Sequence, residues 1–277
     1  MHGALARGSG ADADDTATLD RGGQRSDARV RLRRGRIGKP IPAPRRIHRR
    51  AHGIGKRLQE LARARAARAE CHDKGADLIL FGEMFVTGYP PEDLVLKPAF
   101  QNAAMDAVKQ LAAETATGPA VLIGTPWVKD GLLYNGVALL DEGEVKAVTF
   151  KTDLPNYGVF DEKRVFAPGP MPGPLNVRGV RIGVPICEDI WGADAVECLS
   201  ETGTELLLVP NASPFDRAKR DARLNRVVAR IVESGLPLAY LNQVGGQDEL
   251  VFDGGSFVIN ADRRLAVQLP AWEERLS

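Results

Sequence analysis

The aromatic residues divide this chain into two unlike parts. All 16 Phe, Trp and Tyr residues lie at or after Phe81. Residues 1–70 instead contain 16 Arg and 2 Lys against 5 Asp and 2 Glu, a net charge of +11, whereas the rest of the chain carries a net charge of −10. Residues 1–52 also lack apolar periodicity, and such a segment cannot bury enough apolar surface to offset the entropy lost on ordering. The sequence therefore predicts a disordered Arg-rich tail at residues 1–52 and one folded domain at residues 53–277.

The nine arginines from Arg29 to Arg50 have more than one interpretation. They could bind nucleic acid or act as a transit peptide. A disordered tail without function is the simpler interpretation, and the acidic remainder of the chain argues against a nucleic-acid partner. A shifted reading frame in GC-rich DNA would also encode an Arg-rich segment without aromatic residues. We therefore expect no nucleic-acid binding, and a frameshift is one explanation of the tail.

After residue 53, apolar runs of strand length alternate with helical segments. The first helix is predicted to begin near Ile54, with an apolar face formed by Ile54, Leu58, Leu61, Ala62, Ala66 and Ala69. A second is predicted to begin at Pro91 and to run through residue 114, and a third contains Leu224, Val227, Val228 and Ile231. The predicted strands occupy residues 76–81, 121–124, 134–140, 144–150, 181–186, 205–210 and 236–244. Many of these strands are apolar on both faces, which is typical of a layered α/β fold.

Composition also indicates where this domain resides. The sequence contains no apolar run that approaches the roughly 18 residues of a membrane-spanning helix, so we expect no membrane association. The cysteines Cys71, Cys187 and Cys198 are odd in number and have no paired spacing, which predicts neither a disulfide framework nor a zinc site. Cytoplasmic localisation is therefore expected.

The positions of the histidines exclude several kinds of catalysis. His2, His48, His52 and His72 all precede the strand-rich body. That body therefore cannot use Ser-His-Asp or Cys-His catalysis, and it has no HExxH zinc motif. The sequence also has no glycine-rich phosphate loop of the Walker or dinucleotide type. A hydrolase without histidine in its body needs a carboxylate or a lysine as its base.

Three apolar strands end in chemically useful residues. Glu83 follows the run LILF, Lys151 follows VKAVTF, and Cys187 follows RIGVPI in a predicted strand-to-helix turn. Sites of α/β proteins lie at such strand ends, and a turn of this type exposes a nucleophile. Taken singly, the cysteine could be a small buried apolar residue, the glutamate a cap or ion-pair partner, and the lysine a solvated strand end. Because Glu188 and Asp189 would oppose a thiolate if they faced it, we predict that the lysine lies close to the thiol.

Longer motifs surround these residues. They are FGEMFVTGYPPEDLVLKPAF at 81–100, KTDLPNYGVFDEKRVFAPG at 151–169, GVPICEDIW at 183–191, NASPF at 211–215 and GGQDELVFDGGSF at 245–257. With them the chain resembles the nitrilase superfamily and, more closely, the glutamine amidase domains of glutamine-dependent NAD⁺ synthetases, over roughly residues 53–270. TGYPPEDL and GGQDELVFDGG are the most specific parts of the match. The resemblance implies a nitrilase-like αββα sandwich.

The resemblance also implies roles for individual residues. It implies a catalytic triad of Glu83, Lys151 and Cys187, with Glu162 as a supporting carboxylate. It further implies a glutamine pocket formed by Tyr89, Tyr157, Glu188, Ser213 and Lys219. In this scheme the glutamate is the base, the thiolate attacks the amide, and the lysine stabilises the oxyanion. Neither a metal nor another cofactor is implied for the amidase, whereas ATP and Mg²⁺ are implied for the synthetase domain.

The reaction that the resemblance implies is the hydrolysis of L-glutamine to glutamate and ammonia. The ammonia would serve the ATP-dependent amidation of deamido-NAD⁺ in NAD⁺ biosynthesis. The implied partners are glutamine, the synthetase domain and further copies of the full-length enzyme, as a homo-oligomer. The first strand of the fold and the synthetase domain have no counterpart in the sequence, so a domain truncated before the synthetase domain is expected. Two alternatives stay open, namely a free-standing amidase or carbamoylase that acts on another small amide, and an inactive remnant.

Overall fold

The computed structural model describes residues 54–276, with side chains from residue 60 onward. The predictions for residues 1–52, including the disordered tail, the frameshift and the missing first strand, lie outside the described residues. The helices are α1 (Ile54–Asp73), α2 (Pro98–Ala113), α3 (Glu162–Val165), α4 (Asp194–Glu201) and α5 (Lys219–Ser234). The strands are β1 (Leu78–Leu80), β2 (Ala120–Lys129), β3 (Leu132–Asp141), β4 (Glu144–Phe150), β5 (Leu175–Val177), β6 (Val180–Gly183), β7 (Leu206–Asn211), β8 (Leu238–Asn242), β9 (Val244–Gln247), β10 (Leu250–Asp253), β11 (Phe257–Ile259) and β12 (Leu265–Gln268).

The described strands form two large sheets and a separate hairpin. In the first sheet the order is β1-β2-β3-β4, with β1 parallel to β2 and the other neighbours antiparallel. In the second sheet the order is β12-β11-β8-β7-β6-β5, in which β6, β7 and β8 are parallel and the other pairs are antiparallel. β9 and β10 form the hairpin. Parallel neighbours need a crossover connection, which α4 supplies between β6 and β7 and α5 between β7 and β8.

Packing of the side chains shows four layers. Alternate residues of β2 point to opposite sides, so Val121 and Ile123 pack with α1 and α2, whereas Ala120 and Leu122 face the second sheet. Residues of β5, β6 and β7 cover that inner face. The outer face of the second sheet packs against α4 and α5. The architecture is therefore the αββα sandwich that the resemblance implied.

Strand direction explains how distant residues reach one site. β1 is parallel to β2, and two antiparallel steps through β3 return β4 to the same direction. The carboxyl ends of β1 and β4 therefore lie at the same edge of the first sheet. Glu83 follows β1 and Lys151 follows β4. Two residues separated by almost 70 positions are thus brought together by sheet topology.

Two details of the predicted helices are wrong. Of the predicted apolar face of α1, Ala62, Ala66 and Ala69 are exposed, and the buried positions are Leu61, Ala64 and Cys71. A methyl group gains little from burial, so alanines do not determine which face of a helix packs. The segment predicted as one helix from Pro91 is a 3₁₀ turn at Glu92–Leu96, and α2 then begins at Pro98 because proline suits the first helical position. Within residues 54–276, no helix combines the length and the hydropathy that a bilayer span requires.

Candidate active site

Glu83 lies in a turn directly after β1 that presses against β2. The Phe81 N–H donates to Leu122 O at 2.8 Å, so strand pairing continues to the edge of this turn. The Glu83 side chain is fully buried. Gly124 of β2 approaches the turn so closely that a Cβ on it would lie 2.2 Å from Gly82 O. Only glycine at position 124 therefore lets the turn occupy its place.

Lys151 holds two buried carboxylates at the end of β4. Its Nζ donates to Glu83 Oε1 and to Glu162 Oε1, each at 2.8 Å, and the lysine side chain is fully buried. The Tyr89 hydroxyl donates to the same Glu162 oxygen at 2.8 Å. An ammonium group has three N–H donors, so one of them is left for a further acceptor. The structure thus joins two members of the predicted triad with the supporting glutamate.

Two groups that sequence reasoning missed orient the Glu83 carboxylate. Asn135 Nδ2 donates to Glu83 Oε1 at 2.8 Å, and the backbone N–H of Ala212 donates to Oε2 at 3.0 Å. A polar residue near the start of the apolar strand YNGVALL was the signal for Asn135, since a buried amide needs hydrogen-bond partners. Within the described residues, Oε1 accepts two bonds and Oε2 accepts one. Oε2 therefore keeps a lone pair that can take a proton.

Cys187 occupies a strained turn that leads into the 3₁₀ helix Cys187–Ile190. Its φ is +48°, and a non-glycine residue adopts such a conformation at a cost of about 1–3 kcal/mol. The thiol is buried and forms no disulfide. A strained residue at the junction of a strand and a helix is the geometry that presents a nucleophile. The structure therefore contains the turn that the sequence predicted.

Asp189 connects the cysteine turn to the end of β4. Its Oδ1 accepts the N–H groups of Thr152 at 2.9 Å and Asp153 at 2.7 Å, and its Oδ2 accepts the Ile186 N–H at 2.8 Å. Burial raises the pKa of Asp189 to about 7, although these hydrogen bonds oppose the rise. The carboxylate is thus engaged with backbone N–H groups of both segments. It is a third group in the site whose role sequence reasoning missed.

The thiol is neutral in the resting site. Burial raises the pKa of Cys187 well above that of an ordinary thiol, the charges of Glu83 and Glu162 raise it further, and Lys151 opposes the rise. Burial by itself lowers the pKa of Lys151, but the two carboxylates outweigh it, so this pKa stands well above the ordinary value. Burial also raises the pKa of Glu162. A charged ammonium near the thiol is therefore not enough to ionise it, and a base has to remove its proton as it attacks.

We expect the Cys187 thiolate to form only under alkaline conditions. A raised pKa keeps the thiol protonated, so the ultraviolet absorbance of the protein minus that of its Cys187→Ala variant should stay flat through about pH 8, where an ordinary thiol is already partly ionised. The difference should rise only at higher pH. A thiolate signal at neutral pH would contradict the proposed need for a base.

An open cleft of about 660 Å³ lies beside the buried cluster that Lys151 forms with its two carboxylates. Tyr157, Lys163 and Glu188 are among the residues that line this cleft. The Tyr157 hydroxyl donates to the Glu188 carboxylate at 2.9 Å, while the tyrosine as a whole is exposed. Burial raises the pKa of Glu188, and the bond from the tyrosine opposes this rise. Two of the predicted pocket residues are therefore paired at the mouth of the site.

The other predicted pocket residues have different surroundings. Tyr89 is buried, with its hydroxyl bound to Glu162, and so belongs to the catalytic cluster rather than to the open cleft. Ser213 is buried in the loop after β7. Lys219 begins α5, and burial lowers its pKa, while the nearby thiol of Cys187 acts in the opposite direction. All five predicted pocket residues thus surround the cluster, but only Tyr157 and Glu188 face the cleft openly.

The model of the carbon-nitrogen hydrolase family matches residues 52–277. The chain belongs to this family. Similar members include the glutamine-dependent NAD(+) synthetase of Rhodobacter capsulatus, 48% identical over 221 residues that cover 80% of this chain and 40% of that protein. The synthetase of the same name from Acinetobacter baylyi is 42% identical over 207 residues, which cover 75% of this chain and 38% of that protein. This carbon-nitrogen hydrolase thus spans about 40% of the length of these relatives.

Solved structures agree with the family assignment. The glutamine-dependent NAD⁺ synthetase of Acinetobacter baumannii superposes with a TM-score of 0.74 at 36% identity, covering 80% of this chain and 42% of that one. An amidase of the nitrilase superfamily from Nesterenkonia sp. AN1 superposes with a TM-score of 0.68 at 29% identity. The superposition covers 78% of this chain and 84% of that one. The resemblance to the nitrilase superfamily is confirmed.

Proposed function

We propose that this domain hydrolyses the side-chain amide of L-glutamine to glutamate and ammonia. The observation that carries the proposal is the buried contact of Lys151 Nζ with Glu83 and Glu162, next to the strained turn at Cys187. A hydrolase without histidine in its body needs a base and an electrophile, and this cluster provides both. Glutamine is favoured because the similar synthetases are named as glutamine-dependent. The carboxylate of Glu188 at the cleft also suits the α-ammonium group of an amino acid.

In the first half of the reaction, Glu83 takes the proton of the Cys187 thiol and the sulfur attacks the amide carbon. We assign this proton to Oε2, the oxygen that retains a lone pair. The remaining N–H of Lys151 donates to the oxyanion that forms. Glu83 then passes the proton to the amide nitrogen and the C–N bond breaks. Ammonia is released, and the acyl group remains on the sulfur as a thioester.

In the second half, Glu83 takes a proton from water, which attacks the thioester carbon. Lys151 again stabilises the oxyanion, the C–S bond breaks, and the sulfur recovers its proton from Glu83. Glutamate is released and the resting site is restored. In each half of the reaction the Glu83 carboxylate acts first as a base and then as an acid. Its buried hydrogen bond to Lys151 keeps it in position for both roles.

The ammonia is proposed to serve ATP-dependent amidation of deamido-NAD⁺ by a synthetase domain, which would bind ATP and Mg²⁺. The names and greater length of the similar synthetases support this partner. We also propose a homo-oligomeric, cytoplasmic full-length enzyme that binds neither nucleic acid nor membrane.

An amidase acting on another small amide is the second candidate, because this chain covers 84% of the Nesterenkonia amidase.

A panel of amides tests the choice of substrate. Ammonia release should be fastest with L-glutamine, slower with glutaramic acid, which lacks the α-amino group, and slower with 4-aminobutanamide, which lacks the α-carboxylate. Each missing charged contact should lower kcat/KM by roughly 10- to 100-fold. Faster release from a simple aliphatic amide or an N-carbamoyl compound would favour the second candidate.

Metal chelation should leave glutamine hydrolysis unchanged. The proposed electrophile is Lys151, and the described residues contain no group of three or more His, Cys, Asp or Glu side chains arranged to hold a metal. Ammonia release should therefore be equal before and after dialysis against EDTA. A loss of activity that added zinc restores would count against the Glu-Lys-Cys mechanism.

A further inference from the structure

We infer that Phe160 is a positioning residue whose ring holds the Lys219 ammonium group ready to bind the carboxylate of an amino-acid substrate. The inference rests on the proposed glutaminase function and adds to it a residue that sets substrate preference. Phe160 is partly buried and packs against the apolar cluster that contains Tyr89 and Leu154. It has no part in the reaction steps given above.

The ring of Phe160 is the contact that the structure provides for the charge of Lys219. The Nζ atom lies 5.3 Å from the centroid of this ring. Within the described residues, no oxygen accepts a hydrogen bond from Nζ and no carboxylate lies within ion-pair distance of it. Burial lowers the pKa of Lys219, and the nearby Cys187 and Glu188 act in the opposite direction. Because the face of an aromatic ring attracts a cation, Phe160 offsets part of the cost of this burial.

A ring leaves the lysine available in a way that a carboxylate would not. The ring attracts the positive charge but offers no oxygen to the three N–H donors of the ammonium group. Those donors therefore remain for an incoming acceptor. A carboxylate is a charged acceptor and forms the stronger hydrogen bonds. Lys219 thus keeps its capacity to bind a carboxylate although it is already held in place.

Phe160 also contacts the tyrosine that holds the opposite charge of the site. Its ring packs edge-on against that of Tyr157, with 5.3 Å between the centroids and 72° between the planes. The Tyr157 hydroxyl donates to the Glu188 carboxylate at 2.9 Å. One aromatic pair therefore holds an anion through the tyrosine and a cation through the phenylalanine. The zwitterionic end of an α-amino acid carries the two complementary charges.

The order that the ring imposes on Lys219 should appear mainly in KM. A free lysine side chain has many rotamers, and fixing it costs more conformational entropy than fixing most other side chains. A ring that fixes it before the substrate arrives lowers the cost of binding. The bonds of Lys151 to Glu83 and Glu162 do not involve Phe160, so kcat should depend on the ring much less.

The test compares substrates with and without the α-carboxylate. Phe160→Leu keeps an apolar side chain but removes the ring. It should lower kcat/KM for glutamine and for glutaramic acid by roughly 5- to 30-fold, mainly through KM. Hydrolysis of 4-aminobutanamide, which has no carboxylate, should change by less than about twofold. Phe160→Tyr retains an aromatic face and should keep the preference of the wild type.

Leu250→Ala is the matched control for lost packing. Leu250 is partly buried against the same apolar cluster as Phe160, and no lysine lies over it. The control should lower the thermal midpoint without changing the preference among the three amides. Equal losses on all three amides after Phe160→Leu would show a merely structural role and overturn the inference. If Phe160→Leu fails to fold, Phe160→Met, which is also apolar and without a ring, takes its place.

A double-mutant cycle tests whether Phe160 acts through Lys219. In a Lys219→Met background, Phe160→Leu should change kcat/KM for glutaramic acid by less than about twofold, because no cation is left for the ring to hold. Additive losses would overturn the inference, as would a Lys219→Met variant that hydrolyses glutaramic acid as well as the wild type does. A wild-type protein that hydrolyses glutamine and 4-aminobutanamide equally well would instead refute the proposed function.

Discussion

Replacing Cys187 by alanine should lower glutamine hydrolysis by a factor on the order of 10⁵ or more, because no thioester can form without the sulfur. The fold should survive, since alanine at φ +48° is no more strained than the cysteine that it replaces. The bonds of Lys151 to Glu83 and Glu162 do not involve the sulfur and should remain. Ammonia release measured in a coupled assay, together with circular dichroism, checks both parts of this result.

Cys198→Ser is the matched control for this substitution. Cys198 lies on α4, and its Sγ is 3.6 Å from Pro172 O, a contact that a serine hydroxyl can also make. Activity should therefore stay close to that of the wild type. If the serine variant were inactive and the Cys187→Ala variant active, the nucleophile would be misassigned.

Replacing Lys151 by methionine should lower kcat by roughly 10³-fold, because the oxyanion loses its charged donor. Methionine has a similar length and no charge, so the cavity stays filled. The substitution also leaves Glu83 and Glu162 buried without their cation, which should lower the free energy of unfolding by about 3–5 kcal/mol. Steady-state kinetics and urea unfolding measure the two effects separately.

A second substitution separates catalysis from stability at Lys151. Adding Glu162→Gln to Lys151→Met removes one of the two stranded charges and keeps an oxygen that can accept from Tyr89. Much of the lost stability should return, whereas kcat should stay low because the ammonium group is still absent. Recovery of activity together with stability would show that Lys151 is needed only to hold the fold.

The catalytic residues could be predicted from the sequence because their signals are local. Lys151 and Cys187 directly follow an apolar run, Glu83 follows one after a single glycine, and the absence of histidine from the body excluded the commonest alternatives. The motifs around them were specific enough to indicate the αββα sandwich. Strand periodicity also located the apolar strands, although several of their ends differ by one or more residues. Helix faces were less certain, since the alanines of α1 carry little burial energy.

The residues that orient the site were decided only by the tertiary structure. Asp189 joins Thr152 and Ile186 across segments more than 30 positions apart, and Arg223 joins α5 to Ser213 and to Asp253 on β10. No local pattern distinguishes these residues from ordinary surface charges. A buried charge is stable only where several donors or acceptors converge on it, and that convergence depends on how distant strands and helices pack. The sequence by itself therefore determined the reacting groups, and the packing of the two sheets and α5 determined how those groups are held.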